Sequence, residues 1–270
     1  MSSRDAFPTL TLSLVQAPLV WTNISANLDF FDSVLEPLKG KTDLIVLPET
    51  FATGFVTDPA EIAVTMDGQV MQWMAEKSSL LNAAITGTII TNENNRYYNR
   101  LIWMQPDGSY FTSDKRHLFR MGHEHEKFTA GRKSLTIDLK GWNIRPLICY
   151  DLRFPVWSKN RYIDSKYEYD LLIYTANWPA SRSFVWKSLL TARAIENLAY
   201  CAGVNRIGTD GHGLPHSGDS CVLDFKGRDM FRARPNEAVV ETITLEYEPL
   251  REFRERFNVG PDWDQFNITI

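Results

Sequence analysis

Three apolar runs in this chain each end on a reactive side chain. LIVLPET delivers Glu49, FTSDKRHLF delivers Lys115, and PLICYDLRFP delivers Cys149. In layered α/β folds, sites gather where strands end and loops begin. Taken singly, each residue has an ordinary reading: a solvated loop carboxylate, a solvated loop ammonium, a small buried hydrophobe. Taken together they define a chemistry. A thiol attacks well only once its proton is removed or its pKa is lowered. A carboxylate can take that proton and return it to a leaving amine. An ammonium favours the thiolate and stabilises the oxyanion of a tetrahedral intermediate. A cysteine at a strand end also leaves the next backbone N–H, that of Tyr150, as a second oxyanion donor. Acyl transfer from an amide or a nitrile requires this set of groups.

The elements that must carry these residues are legible from periodicity. Alternation at Leu10, Leu12 and Leu14 predicts a strand. Ile24, Leu28, Phe31, Leu35 and Leu38 fall on one helical face, and Gly40 ends that helix. DLIVLPE reads as a strand buried on both faces. QVMQWMAEKSSLLN reads as a helix and AAITGTII as a strand. Two strand pairs follow, turning at Pro106-Asp107-Gly108 and at Lys140-Gly141. YDLLIYTANWP is a strand leaving into a loop. The next segment, SRSFVWKSLLTARAIENLAY, is a long helix with Ser181 or Ser183 as its N-cap. AYCAGVNRIG, DSCVLDFKG and EAVVETITL are strands, and EPLREFRERF is a last helix. Helices alternate with strands, but hairpins interrupt them, so a simple doubly wound sheet is excluded in favour of a mixed sheet pair with helices outside. No linker, repeat or low-complexity tract divides the chain, which predicts one domain over residues 1–270. The stretch from about 258 to 270 lacks helical period and reads as an arm that docks on a partner.

The chain has 270 residues, 44% of them hydrophobic and 23% charged, with a net charge of −4. Nothing basic recommends a nucleic acid or an anionic membrane as partner. No apolar run approaches the ~18 residues of a membrane span, and the N-terminus has no signal-peptide core. Cys149, Cys201 and Cys221 form no CxxC pair, which fits a reducing cytoplasm rather than a disulfide framework.

LPETF, DKRHLF and CYDLRFP resemble the signature segments of the nitrilase, or carbon–nitrogen hydrolase, superfamily. The resemblance runs from LSLVQAP to CVLDFKG, nearly the whole chain. It implies Glu49 as general base, Lys115 as oxyanion stabiliser and Cys149 as nucleophile. The family carries a second glutamate seven residues before a glycine, and EHEKFTAG places these at Glu124 and Gly131. The fold it implies is α/β, a four-layer α-β-β-α sandwich, commonly paired as a homodimer. No cofactor or metal is implied. DKRHLFRMGHEHEKFTAG, CYDLRFPVWS, YTANWPASRS and LLTARAIEN look most like the omega-amidase branch. Those enzymes hydrolyse the terminal amide of small 2-oxo dicarboxylic acid monoamides, such as 2-oxoglutaramate and 2-oxosuccinamate. A nitrilase or an N-carbamoyl-amino-acid amidohydrolase would use the same three residues. A non-catalytic dimeric scaffold is the alternative outside enzymes.

An acidic substrate on an acidic chain needs a placed cation. Arg182, after TANWPAS, and Arg116, beside Lys115, are the candidates, since guanidinium matches carboxylate with two prongs. Trp178, Phe119 and Phe55 are candidates for an apolar wall. Arg116 has Asp114 and Asp151 as alternative partners. Arg153 reads as structural, paired with Asp151 to brace the turn after Cys149. Arg193 and Glu196, three apart on one helix, can pair or clamp neighbouring loops. The run His123 to Glu126 lacks a helical His pair or distant Cys ligands, so it reads as no metal site. His212 and His216 read as solvated loop residues, and Cys201 and Cys221 as inert.

Overall fold

A computed structural model describes residues 7–269. Residues 1–6, which begin the stretch read as lacking a signal peptide, and residue 270, which ends the C-terminal arm, lie outside the described residues.

Side chains alternate across a strand, so an apolar run that packs on both faces must separate two apolar layers. Strand Leu44–Val46 does this: Leu44 and Val46 face one core while Ile45 faces another. Strand Leu171–Ala176 repeats it, with Leu171 and Ile173 on one side and Leu172 and Tyr174 on the other. The strands form two mixed six-stranded sheets. The first runs Val239–Glu246, Thr9–Gln16, Leu44–Val46, Ala84–Glu93, Arg96–Met104, Tyr110–Asp114. The second runs Asp229–Arg232, Cys221–Leu223, Tyr200–Asn205, Leu171–Ala176, Trp142–Ile148, Ile137–Leu139. In each sheet two neighbouring parallel pairs are flanked by antiparallel ones, and the succession is the same when one sheet is read backwards. The halves thus share a pattern of pairing that no sequence repeat announces.

Leu10, Leu12, Trp103, Trp142, Ile173 and Tyr200 fill the space between the sheets. Helices Ile24–Leu35 and Gln69–Leu81 cover the first sheet through Phe31, Leu35, Val70 and Met74. Helix Ser183–Asn197 covers the second through Trp186, Leu190 and Ala194. The result is a four-layer α-β-β-α sandwich with helices outside.

Local chemistry adjusts the expected boundaries. Asn23 caps the first helix, its side chain accepting from the Ala26 N–H at 3.0 Å. That helix tightens to a 3-10 turn over Glu36–Leu38, where Pro37 removes a donor. Neither Ser181 nor Ser183 caps the long helix. Arg182 takes the cap position, and the Ser183 hydroxyl donates to Asp219 at 2.8 Å. The expected arm begins against its own chain: Trp263 meets Tyr167 edge-on at 5.4 Å, and the Lys159 ammonium lies 3.4 Å from its ring centroid. Among the described residues no helix is long and apolar enough to cross a membrane.

The Gly-rich stretch around His212 is a hairpin, Ile207–Thr209 against Pro215–Ser217. Its pairing turns His216 inward, 3% exposed, a correction to its reading as a solvated loop histidine. Burial, then the nearby Arg206 guanidinium, lowers its pKa from 6.5 to about 4. A depressed pKa stabilises the fold above the unfolded value and is lost as pH falls through the folded one. His216 therefore withdraws stability between pH 6.5 and about 4, on the order of 3 kcal/mol over the window. His216→Gln should flatten that loss, read as urea midpoints at pH 7 and pH 4.5. Equal acid losses in both proteins would contradict it. A Cβ on Gly203 would lie 2.5 Å from Leu190 Cδ1 and 2.7 Å from Trp186 Cζ2. Gly203→Ala should cost about 1–3 kcal/mol by forcing the helix off the sheet, measured by the same denaturation.

Candidate active site

Glu49, Lys115 and Cys149 each lie just beyond the end of a strand. Lys115 follows Tyr110–Asp114. Its N–H donates to the Asn99 carbonyl at 2.9 Å, and its carbonyl accepts from the Gly131 N–H at 2.8 Å. A Cβ on Gly131 would lie 1.9 Å from the Asp114 carbonyl oxygen, so the contact that pins Lys115 admits only glycine. Cys149 follows Trp142–Ile148 with φ +40°, in the left-handed region, and opens a 3-10 turn to Arg153. Side chains seldom adopt that backbone unless the surroundings hold them in it. Tyr150 is in the first turn, where backbone N–H groups have no intrahelical partner.

The Lys115 ammonium is 1% exposed and sits between two carboxylates. It donates to Glu49 Oε1 at 2.8 Å and reaches both Glu124 oxygens, at 3.1 and 3.0 Å. The Asn99 amide donates to Glu49 at 2.8 Å and to Glu124 at 3.3 Å. Glu124 also accepts from the Phe119 N–H at 2.6 Å. Glu49 Oε2 accepts from the Asn177 N–H at 2.8 Å, and the Asn177 amide donates to the Glu49 carbonyl. Burial alone would lower the Lys115 pKa, but Glu124 and Glu49 more than offset it, so the ammonium stays charged. Burial raises the Glu124 pKa against the pull of Lys115. Burial, and then the Glu49 carboxylate, push the Cys149 thiol well above its usual value, with Lys115 opposing. A thiol held protonated beside a carboxylate can attack only as that carboxylate accepts its proton.

These groups open into a cavity of about 270 Å³. Phe55, Phe119, Tyr150 and Trp178 line it as an apolar wall, and Arg182 lines it with them. Arg116 does not. The chain bends at Arg116, beyond the strand's end, and its side chain turns towards the Gly131 carbonyl at 3.5 Å and a separate cleft beside Trp157. Its alternative partners are taken: Asp114 pairs with Arg100 at 2.7 Å, and Asp151 with His117 at 2.8 Å.

Arg153 does not pair with Asp151 as expected. Asp151 accepts from His117 and from the Ile148 N–H at 3.2 Å, not from Arg153. Arg153 instead lies over the Trp178 ring at 5.0 Å and lines the cavity. The turn is braced by Arg193, which pairs with Glu196 at 2.7 Å and donates to the Leu152 carbonyl at 2.6 Å. Arg182 lies over Phe119 at 5.4 Å. Among the described residues neither Arg153 nor Arg182 has a carboxylate partner.

The hairpin closes the far side with Asp210, His212, Leu214 and His216. Reading the sequence missed this wall, and missed Asn99 and Asn177. A polar Asn amid the buried run NRLIWM was the available signal for Asn99. The run from His123 to Glu126 divides: Glu124 faces Lys115, while His123 pairs with Glu126 at the surface. Among the described residues no group of three or more His, Cys, Asp or Glu is placed to hold a metal ion. Cys201 and Cys221 are buried in the second sheet.

Comparison with known proteins agrees with this geometry. The carbon-nitrogen hydrolase family model matches residues 11–255. The chain is 44% identical over 261 residues to the omega-amidase YafV of Escherichia coli K12, covering 97% of this chain and 99% of that one. It is 28% identical over 255 residues to a 2-oxoglutaramate amidase of Bacillus subtilis, covering 93% and 96%. A solved CN-hydrolase superfamily structure from Xanthomonas campestris, described as carrying an arsenic adduct in its active site, superposes with a TM-score of 0.95. It is 43% identical, covering 97% of this chain and all of that one. The protein is a member of the carbon-nitrogen hydrolase family.

Proposed function

We propose that this protein is a cysteine-dependent omega-amidase. Its substrates on this reading are the terminal amides of small 2-oxo dicarboxylic acid monoamides, 2-oxoglutaramate and 2-oxosuccinamate. The observation that carries the reading is one cavity holding a buried lysine between two buried carboxylates together with the Cys149 thiol.

Glu49 takes the Cys149 proton as Sγ bonds to the amide carbon. The carbonyl electrons move onto oxygen, held by the Lys115 ammonium and the Tyr150 N–H. Glu49 passes the proton to the amine, the C–N bond breaks, and ammonia leaves a thioester. Water then attacks the thioester carbon while Glu49 accepts its proton. The C–S bond breaks, the 2-oxo acid departs, and the proton returns to sulfur. Glu124 keeps Lys115 charged and aimed throughout. The chemistry needs no cofactor or metal.

Likeness to enzymes named omega-amidase and 2-oxoglutaramate amidase supports the substrate class. The cavity adds its own argument. Its walls are aromatic, and Arg153 and Arg182 offer two guanidinium groups free for the remote carboxylate. The acting unit on this reading is one domain, paired as a homodimer in the cytoplasm. The exposed Phe184 and Val156, on elements that follow the site loops, supply apolar surface for a second copy. Sedimentation at micromolar concentration tests that pairing.

Cys149→Ala should abolish ammonia release from 2-oxoglutaramate, by at least about 10⁴-fold in kcat. Turnover at the parent rate would overturn the mechanism. Arg153→Gln and Arg182→Gln should each lower kcat/KM for 2-oxoglutaramate about 10- to 100-fold, the worth of a charge-assisted hydrogen bond. Neither should alter the weak turnover of pentanamide, which lacks the carboxylate. A panel with nitriles and N-carbamoyl amino acids completes the test. Strong preference for a substrate without the 2-oxo acid group would overturn the assignment.

A further inference from the structure

The turn after Cys149 and the loop after Lys115 come from different sheets, yet the proposed oxyanion donors are one from each. Something must hold them in register. Between segments 115–119 and 148–154, the hydrogen bonds found among the described residues all end on Asp151. The His117 N–H donates to Asp151 Oδ1 at 3.0 Å, and the ring Nδ1 stands 2.8 Å from the same oxygen. A carboxylate only accepts, so Nδ1 carries the proton. The other oxygen, Oδ2, accepts from the Ile148 N–H at 3.2 Å, one residue before the nucleophile. The His117 ring stacks on Phe154, with centroids 3.6 Å apart and planes 5° apart, and meets Trp157 edge-on.

We infer that His117 is a positioning residue. It ties the Lys115 loop to the Cys149 turn through Asp151 and so fixes the distance between the Lys115 ammonium and the Tyr150 N–H. It touches neither substrate nor the reacting atoms. His117 is two residues beyond Lys115, and Asp151 two beyond Cys149. The tie thus lies within two residues of both groups. Cys149 sits at φ +40°, a backbone state that its surroundings must enforce, and the Asp151 carboxylate holds the Ile148 N–H just before it. Releasing Asp151 from His117 frees the turn to relax, and misplacement by an ångström at a reacting centre costs about 10²-fold in rate.

The inference rests on the amidase reading, and the test separates the two. His117→Asn retains a donor where Nδ1 stands. His117→Asp has the same shape and the same backbone N–H, but lacks the side-chain donor and repels Asp151. For 2-oxoglutaramate, His117→Asp should lose about 10- to 100-fold in kcat with KM within about threefold, whereas His117→Asn should stay within about threefold of the parent in both. The rate of Cys149 alkylation by iodoacetamide, measured alongside, requires no knowledge of the substrate and should change in His117→Asp alone. Should His117→Asp fail to fold by thermal melt, His117→Phe keeps the stack on Phe154, lacks the donor, and takes its place. Parent kcat in the donorless variant overturns the inference. So does a folded His117→Asn as impaired as His117→Asp, since the imidazole rather than the tie would then matter. A parent protein inert towards 2-oxoglutaramate but alkylated at Cys149 counts against the substrate assignment, and the alkylation rates still decide the tie.

Discussion

An ammonium with almost no exposure to water, clamped between two carboxylates, is the interaction on which the rest of the molecule depends. Removing such charges from water costs several kcal/mol each, recovered only when geometry and hydrogen bonding are nearly complete. Lys115, Glu49 and Glu124 meet that requirement because every carboxylate oxygen of the pair is met by a rigid donor. Asn99 stands in a strand, Asn177 at a strand end, and the Phe119 N–H in a loop held by Gly131. The cluster draws on both sheets, so it demands that they be packed in one register. The layer of Leu10, Trp103, Trp142, Ile173 and Tyr200 supplies that register.

The same cluster dictates the state of the thiol. Near it, burial and a neighbouring carboxylate both favour the neutral form of Cys149, and the lysine opposes them. A site of this kind keeps its nucleophile protonated at rest and makes proton transfer part of the attack. It also explains why the carboxylate must be doubly anchored. Glu49 accepts from Lys115 and Asn99 on one oxygen and from the Asn177 N–H on the other, so its position is set by three elements at once.

Around this fixed centre the variable chemistry lies on shorter, more exposed pieces. The 207–217 hairpin, the loop holding Arg182 and the turn holding Arg153 form the rest of the cavity wall. They are surface segments carried on the rigid sandwich, the usual division between scaffold and specificity. Arg153 and Arg182 each rest a guanidinium over an aromatic ring, which holds the cation in place without neutralising it.

Local sequence determined much of this. Period-two and helical apolar patterns located most strands and helices of both sheets, because those patterns follow from backbone geometry alone, but not the short edge strand Asp229–Arg232. They also set Glu49, Lys115 and Cys149 at strand ends, where the folded chain brings them together. Three things were decided only by tertiary structure. Arg116 and Arg153 exchanged their expected surroundings, because side-chain direction depends on local backbone and on which partner claims Asp151. His117, not Arg153, claimed it, across a gap of 34 residues that no local rule spans. The hairpin histidines joined the cavity wall because a Gly-rich run has no apolar period from which pairing can be read. Periodicity reports which face of an element is buried. It does not report what lies across from that face, and recognition in this protein is built from what lies across.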